Sequence, residues 1–457
     1  SNNHKAGDLK GINRRRFLNI SGRTMLGAGL ASLLPRQLIA ADNSFSDYKC
    51  LVNIFLYGGN DSFNLVVPTS NAEYNVYAAS RQNLAVEQLD LLAINPDNSD
   101  GATYGFHPSA GALQSLFEAG DAAVIANVGP LVAPVTKEQY LSGAASLPPQ
   151  LFSHNDQQAQ WQSLKGDASL ATGWAGRIAD QLAAETADQL LALNTSTFGT
   201  NLFQAGAVSI PYSVSTTGAN TYGAFGAEAA LGAERRAAFE SHIDSEFGNV
   251  HARALAAVHK RSLASADLVN QALAQAPDLA TVFPASFLGA QLNIIARLIA
   301  VRDRFEMCRQ IFFVGAGGFD THDDQNELQP GLLSDVADSI QAFQLAMVEL
   351  GVNDDVVSFT HSDFGRTLTS NGDGTDHGWG GHQIVTGGPV NGRQIYGQMP
   401  ILEIGGDDDA TGGRIIPTTS VDQYAGTLAE WFGVDTSALD IIAPSLSNFT
   451  TSNLGFV

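Results

Sequence analysis

The chain has 457 residues, 44% of them hydrophobic, which is enough to bury one large core or two modest ones. The formal charge is -22, but residues 1–41 carry seven basic side chains (Lys5, Lys10, Arg14, Arg15, Arg16, Arg23 and Arg36) against one acid, Asp8, so taking away that +6 leaves -28 on the rest. A field of that sign excludes nucleic acid and anionic membrane as partners, and an anionic substrate must be drawn in locally by a metal or an arginine.

In "NRRRFLNISGRTMLGAGLASLLPRQLIAAD", Arg14-Arg15-Arg16-Phe17-Leu18 resembles a twin-arginine export signal. A weakly apolar run from Thr24 to Leu34 follows, with Ala40 and Ala41 at a plausible cleavage point. The run is far short of the ~20 apolar residues of a membrane span. Residues 1–41 are therefore expected to be read by the twin-arginine export machinery. Residues 42–457 are expected to form one periplasmic or secreted domain with no stable membrane span; retention of the segment as an anchor is the alternative.

Further along, "CLVNIFLYGGND" predicts a strand covered on both faces that runs into a glycine turn. "HPSAGALQSLFEAGDAAVIANVG" predicts a helix stopped at Gly120-Asp121 and then a second strand. "LFSHNDQQAQWQS" reads as a loop entering a helix, and the Ala-rich residues 223–310, too many for a simple crossover, are expected to form a helical cap. "IFFVGAGGFD" predicts a third strand, "LLSDVADSIQAFQLAMVELG" an amphipathic helix, "DDVVSFTHSDFGRT" a fourth strand and loop, and "VDQYAGTLAEWFGV" a terminal helix. Strands alternating with helices imply an α/β fold with a mostly parallel central sheet and helices on both faces. Cys50 and Cys308 lie at matching distances before Asp61 and Asp320, which leaves open both a disulfide between neighbouring strands and two free thiols.

Three predicted strands end in an aspartate: Asp61 after "LVNIFLYGGN", Asp320 after "IFFVGAGGF" and Asp363 after "VVSFTHS". In open α/β sheets the ligand site lies at the carboxyl ends of the strands, so the three carboxylates are expected on one rim. A lone aspartate after a glycine turn is commonly an Asx-turn residue; three at equivalent positions, one of them in Asp320-Thr321-His322, point to a metal. Carboxylate oxygen with imidazole nitrogen suits a divalent ion such as zinc or manganese, one or two of them. "GTDHGWGGH" adds His377 and His382 as candidate ligands, and "LFSHNDQQ" adds Ser153 and His154 at a helix entrance. His107 reads as a helix-start residue and His361 as a strand residue.

In order, "GGNDSFN", "SHNDQQAQWQ", "GGFDTH", "SDFGRT" and "TDHGWGGH" resemble the exported bacterial family of domain of unknown function 1501, itself similar to the alkaline phosphatase and sulfatase superfamily. The resemblance implies an alkaline-phosphatase-like fold. It implies Ser153 as nucleophile, one ion held by Asp320, His322 and His377, and a second held by Asp61, Asp363 and Ser153. Where the superfamily has Asp-His-Gly, this chain reads Asp363-Phe364-Gly365, so the second ion needs His154 or His382 as a substitute ligand. Arg366 is the candidate to hold a substrate oxygen in a bidentate fork. Neither cysteine has the x-Pro-x-Arg context of a formylglycine sulfatase. The expected function is an exported metal-dependent hydrolase of phosphate or sulfate esters, acting on a small or polymeric ester substrate through a serine or metal-hydroxide nucleophile. The alternative is a non-catalytic exported binding or assembly protein that keeps the fold and at most one metal.

Overall fold

A computed structural model of the chain describes residues 45–99, 101–165, 172–226 and 229–457; the export signal expected at 1–41 lies outside them. Among the described residues, nine strands form one sheet. Its centre is Lys49–Leu56, flanked in parallel by Arg309–Ala316 and Val356–Ser362. Asn194–Ser196 and Tyr212–Ser213 extend it beyond Arg309–Ala316. On the other side, Gly381–Thr386 runs antiparallel between Val356–Ser362 and Ala122–Gly129. Ile395–Tyr396 and Thr419–Ser420 both add in parallel to Ala122–Gly129.

Apolar residues of the first strand alternate between two cores, as a strand covered on both faces requires. Val52, Ile54 and Leu56 point into one core with helices Gly111–Ala119, Phe287–Ala300 and Gln325–Glu349. Leu51 and Phe55 point into the other with Trp161, Trp174 and the helix Val421–Phe432. Each such side chain contributes about 1.5–3 kcal/mol by leaving water. Gly120 ends its helix in a left-handed conformation (φ 87°), the stop that the sequence predicts.

Register sets the height of the loops. Leu56 lies opposite both Ala316 and Ser362, so the segments carrying Asp61, Asp320 and Asp363 leave the sheet at one rim. The antiparallel strand Gly381–Thr386 starts at that rim, which returns the preceding residues, including His377, to it. The glycine turn after the first strand lets backbones approach closely: a Cβ on Gly58 (φ 116°) would meet the Asp320 amide nitrogen at 2.3 Å, and one on Gly59 (φ 90°) the Phe364 ring at 2.4 Å.

One expectation is revised and one left open is decided. Within 223–310, Phe287–Ala300 places Leu292, Ile295 and Ile299 in the main core and is a sheet-covering helix, not part of a cap. Gly232–Ile243 and the first half of Val250–Leu273 share a small cluster of Ile243, Ala256 and Leu263, while Ala266, Val269, Ala272 and Leu273 join the main core. Cys50 and Cys308 are free thiols. Cys50 pairs with Gln310, two positions away from Cys308; two residues along one strand and one strand across separate Cα atoms by about 8 Å, beyond the reach of a disulfide. Among the described residues no helix is long and apolar enough to cross a membrane.

Candidate metal centre

Asp320 is the hub. One of its oxygens, Oδ1, lies 2.6 Å from Arg366 Nη1, 3.1 Å from His322 Nε2 and 3.5 Å from His377 Nε2. The other, Oδ2, lies 3.3 Å from His154 Nε2. Ligand atoms of His154, Asp320 and His377 all fall within 4.8 Å of one another, and His322 Nε2 is 2.9 Å from His377 Nε2. Burial pushes the Asp320 carboxyl up, but the hydrogen bond and charge of Arg366, with His322 and His154, together hold it below the usual aspartate value.

The three imidazoles are anchored through their Nδ1 atoms. His154 Nδ1 lies 2.6 Å from Asp363 Oδ2, His377 Nδ1 2.7 Å from the Phe152 carbonyl, and His322 Nδ1 3.2 Å from Asp376 Oδ1. All three partners are acceptors, so a proton on each Nδ1 leaves each Nε2 lone pair available to a cation. The three Nε2 atoms converge on the Asp320 carboxylate, and those of His322 and His377 lie 2.9 Å apart. The same geometry accommodates either shared protons or a cation between the nitrogens and the carboxylate. It is also the pattern by which metal-binding histidines are oriented, each second nitrogen anchored to a carboxylate or carbonyl.

Supporting groups come from separate elements. Asp363, fully buried after its strand, accepts from His154 and from Gln158 Nε2 (2.8 Å). Burial raises its pKa, and the Gln158 and His154 hydrogen bonds oppose the rise. Strands Arg366–Ser370 and Thr375–His377 pair as a hairpin that brings Arg366, Asp376 and His377 to the site together. Phe364 packs its buried ring against His154 (4.8 Å) and His377 (4.7 Å), closing the position where the resemblance puts a histidine ligand.

Other expected site residues are placed elsewhere. Asp61 is buried and its Oδ2 takes an ion pair from Arg81 and a hydrogen bond from Gln325 Nε2 (2.6 Å), so it is a structural anion and not an open ligand. His382 Nδ1 accepts from the Asn127 amide (3.1 Å), and its ring packs edge-on against Phe63; burial pulls its pKa down to about 3. It is a neutral core histidine, removed from the expected ligand set by its place inside the Gly381–Thr386 strand. Ser153 caps the helix His154–Ser163 by position, but its hydroxyl donates to Asp156 Oδ2 (2.6 Å). Of the groups expected to hold the second ion, Asp61 Oδ2 and Ser153 Oγ are thus engaged by protein partners, while Asp61 Oδ1 and Asp363 Oδ1 are buried without one.

Arg366 is fully buried and its fork is engaged: Nη1 binds Asp320 and the Gly58 carbonyl, Nε binds Thr375 Oγ1 (3.1 Å), and Nη2 binds the Thr375 carbonyl. It orients Asp320 and has no arm left for substrate. His361 pairs with Asn53 Nδ2 inside a ring of aromatic side chains, and His107 accepts from Ser109 N as a helix-start residue. Asp376, Gln158 and Asp156 were missed by the sequence reading. Asp376 adjoins His377, and the other two lie in "SHNDQQ", so neighbourhood to a candidate ligand was the available signal.

A mostly parallel α/β sheet with a three-histidine, one-aspartate cluster on its carboxyl rim defines the class: an α/β protein with a candidate mononuclear metal centre. The chain belongs to the family described as Protein of unknown function (DUF1501), whose model matches residues 48–438. No curated protein matches it. Among solved structures it is similar to the PsFucS1 sulfatase from Pseudoalteromonas sp. (7% identity, 91% of this chain and 72% of that one, TM-score 0.35). It is similar also to the phosphonate monoester hydrolase SpPMH from Silicibacter pomeroyi (10%, 85% and 74%, TM-score 0.34) and the lipoteichoic acid synthase LtaP from Listeria monocytogenes (9%, 86% and 73%, TM-score 0.32). Likeness at this level carries no residue role across to this chain.

Proposed function

We propose that this protein is an exported hydrolase of phosphate or sulfate esters that works with one divalent ion, zinc or manganese, held by His154, Asp320, His322 and His377. The observation that carries this reading is the convergence of three Nε2 atoms on Asp320, each ring anchored by an acceptor behind its Nδ1. Three imidazoles and a carboxylate are donors for zinc or manganese rather than calcium. When bound, such an ion supplies Lewis acidity to an ester oxygen and stabilises charge that develops there.

The chain's own groups do the rest. Arg366 keeps Asp320 ionised and aimed, and Asp363 with Gln158 fixes the His154 ring. Ser153 Oγ already donates to Asp156 Oδ2, which gives a hydroxyl nucleophile an acceptor for its proton one residue from a ligand. A second reading, a binding protein that keeps the ion without turnover, is favoured by Phe364, whose apolar ring stands against His154 and His377 where a second ion would need a ligand.

Metal analysis of the purified protein, followed by a panel of aryl phosphate, phosphodiester and sulfate esters, separates the two. One equivalent of zinc or manganese with turnover lost to a chelator is expected; metal without turnover on any ester favours the binding protein, and no metal sinks both. Ser153→Ala is expected to reduce turnover by several orders of magnitude while the ion is retained, whereas a purely structural serine would cost only ~1 kcal/mol of stability. Full activity in that variant removes the serine and leaves water as the nucleophile.

A further inference from the structure

The site needs a cation for its substrate, and Arg366 is already engaged. Arg414 is the next guanidinium. Its Nε donates to the backbone carbonyl of His377 (3.1 Å), its Nη1 to the carbonyl of Thr411 (3.4 Å), and its plane lies 4.8 Å from the Phe152 ring. Phe152 is the residue whose own carbonyl anchors His377 Nδ1, and it is held at φ 72°, a left-handed backbone that non-glycine residues seldom adopt. One strained residue thus orients a ligand with its backbone and supports an arginine with its ring. The Nη2 arm of Arg414 has no hydrogen-bond or carboxylate partner among the described residues, and the residue is only half-buried.

Charge narrows what that arm can hold. Asp320, Asp363, Asp376 and Asp156 surround the centre, against Arg366, Arg414 and a divalent ion; four negative charges balance four positive ones. Each charge on a substrate is then set against the acidic field of residues 42–457, with a formal net of -28. A single negative charge is tolerated best, a dianion worse, and a polyanion worst.

We propose that Arg414 holds the substrate's anionic oxygen and that the site takes a monoanionic ester, a phosphodiester or a sulfate monoester, an inference that rests on the ester-hydrolase reading. The test is calorimetry of the full metal-loaded chain with dimethyl phosphate, methyl sulfate and methyl phosphate, for the wild type, Arg414→Gln and Arg414→Lys, with metal content and melting temperature recorded for each. Dimethyl phosphate or methyl sulfate should bind the wild type more tightly than the dianionic methyl phosphate, and whichever binds identifies the ester class. Arg414→Gln should weaken that binding by about tenfold or more with metal content unchanged, since a charged hydrogen bond is lost, and Arg414→Lys should recover part of it. Equal binding by Arg414→Gln, no monoanion binding by the wild type, or preference for methyl phosphate overturns the assignment. Absence of metal from the wild type would overturn the hydrolase reading instead, and the comparison between wild type and Arg414→Gln would still decide the arginine.

Discussion

Asp61 and Asp320 follow glycine turns of almost the same spelling, Gly58-Gly59-Asn60-Asp61 and Gly317-Gly318-Phe319-Asp320, on adjacent parallel strands. Their fates are opposite. Asp320 keeps 43% of its side chain exposed and faces three imidazole nitrogens, while Asp61 keeps 1% and faces Arg81 and Gln325. What separates them is the company that the fold delivers. Arg81 closes the helix Asn71–Arg81 and reaches back to Asp61, whereas the arginine beside Asp320 stands among histidines that leave the carboxylate open to an ion. A strand-end carboxylate is thus a position for a ligand, and its neighbours decide whether it becomes one.

Substitution is the sharpest way to break this contrast. Asp320→Ala should abolish stoichiometric metal binding and lower any metal-dependent turnover by about a thousandfold, equivalent to about 4 kcal/mol, and it also costs apo-protein stability because the buried Arg366 loses its carboxylate. Asp61→Ala should spare the metal. It leaves Arg81 buried without its partner, which costs about 3–5 kcal/mol of stability, while metal content per folded molecule stays at the wild-type value. Denaturant titration and metal analysis on the two variants read both effects, and metal loss in folded Asp61→Ala would place that carboxylate in the centre after all.

The anchors behind the ligands should show a smaller effect. Asp376→Asn keeps the shape but removes the charge behind His322, and metal affinity should fall by about 10- to 100-fold in a competition titration. Unchanged affinity would mean that Asp376 is only a hairpin residue.

The buried side of the contrast also has a pH signature. His382 and His361 are neutral in the folded protein, their pKa values pulled by burial to about 3 from an ordinary 6.5. The unfolded chain takes up those protons first, so stability should be full above about pH 6.5 and fall as pH drops towards 3. The slope is at most about 1.4 kcal/mol per pH unit for each histidine. Melting curves between pH 7 and 4 check this, and His382→Gln should flatten the decline; an equal slope in that variant would rule His382 out as a contributor.

Much of this arrangement is legible in the sequence because it depends on short-range pattern. All-apolar runs mark the central strands, and an aspartate a few residues past each run must arrive at the rim when the strands are parallel and in register. His154 and His377 could be named because they sit in loops beside glycine or at a helix entrance. The rest depends on distant partners. Nothing near Asp61 announces Arg81, and nothing near Arg366 shows that Thr375, Gly58 and Asp320 will take every arm of its fork. His382 looked like His377 in the sequence, yet a reversal of strand direction at Gly381 puts one at the rim and the other inside the sheet. Strand direction is set by how the chain returns, which local composition does not encode.

The anchoring of the histidines carries a consequence for how the molecule is assembled. His154 is fixed by a residue 209 positions away in the chain, and His377 by one 225 positions away. No fragment ending before residue 377 holds the full set of groups, so the centre belongs to the slow, non-local part of folding, after the loop-closure entropy of nearly half the chain has been met. An ion that binds only the finished geometry then draws the folding equilibrium towards the complete chain, and the free energy of loading becomes a contribution to global stability.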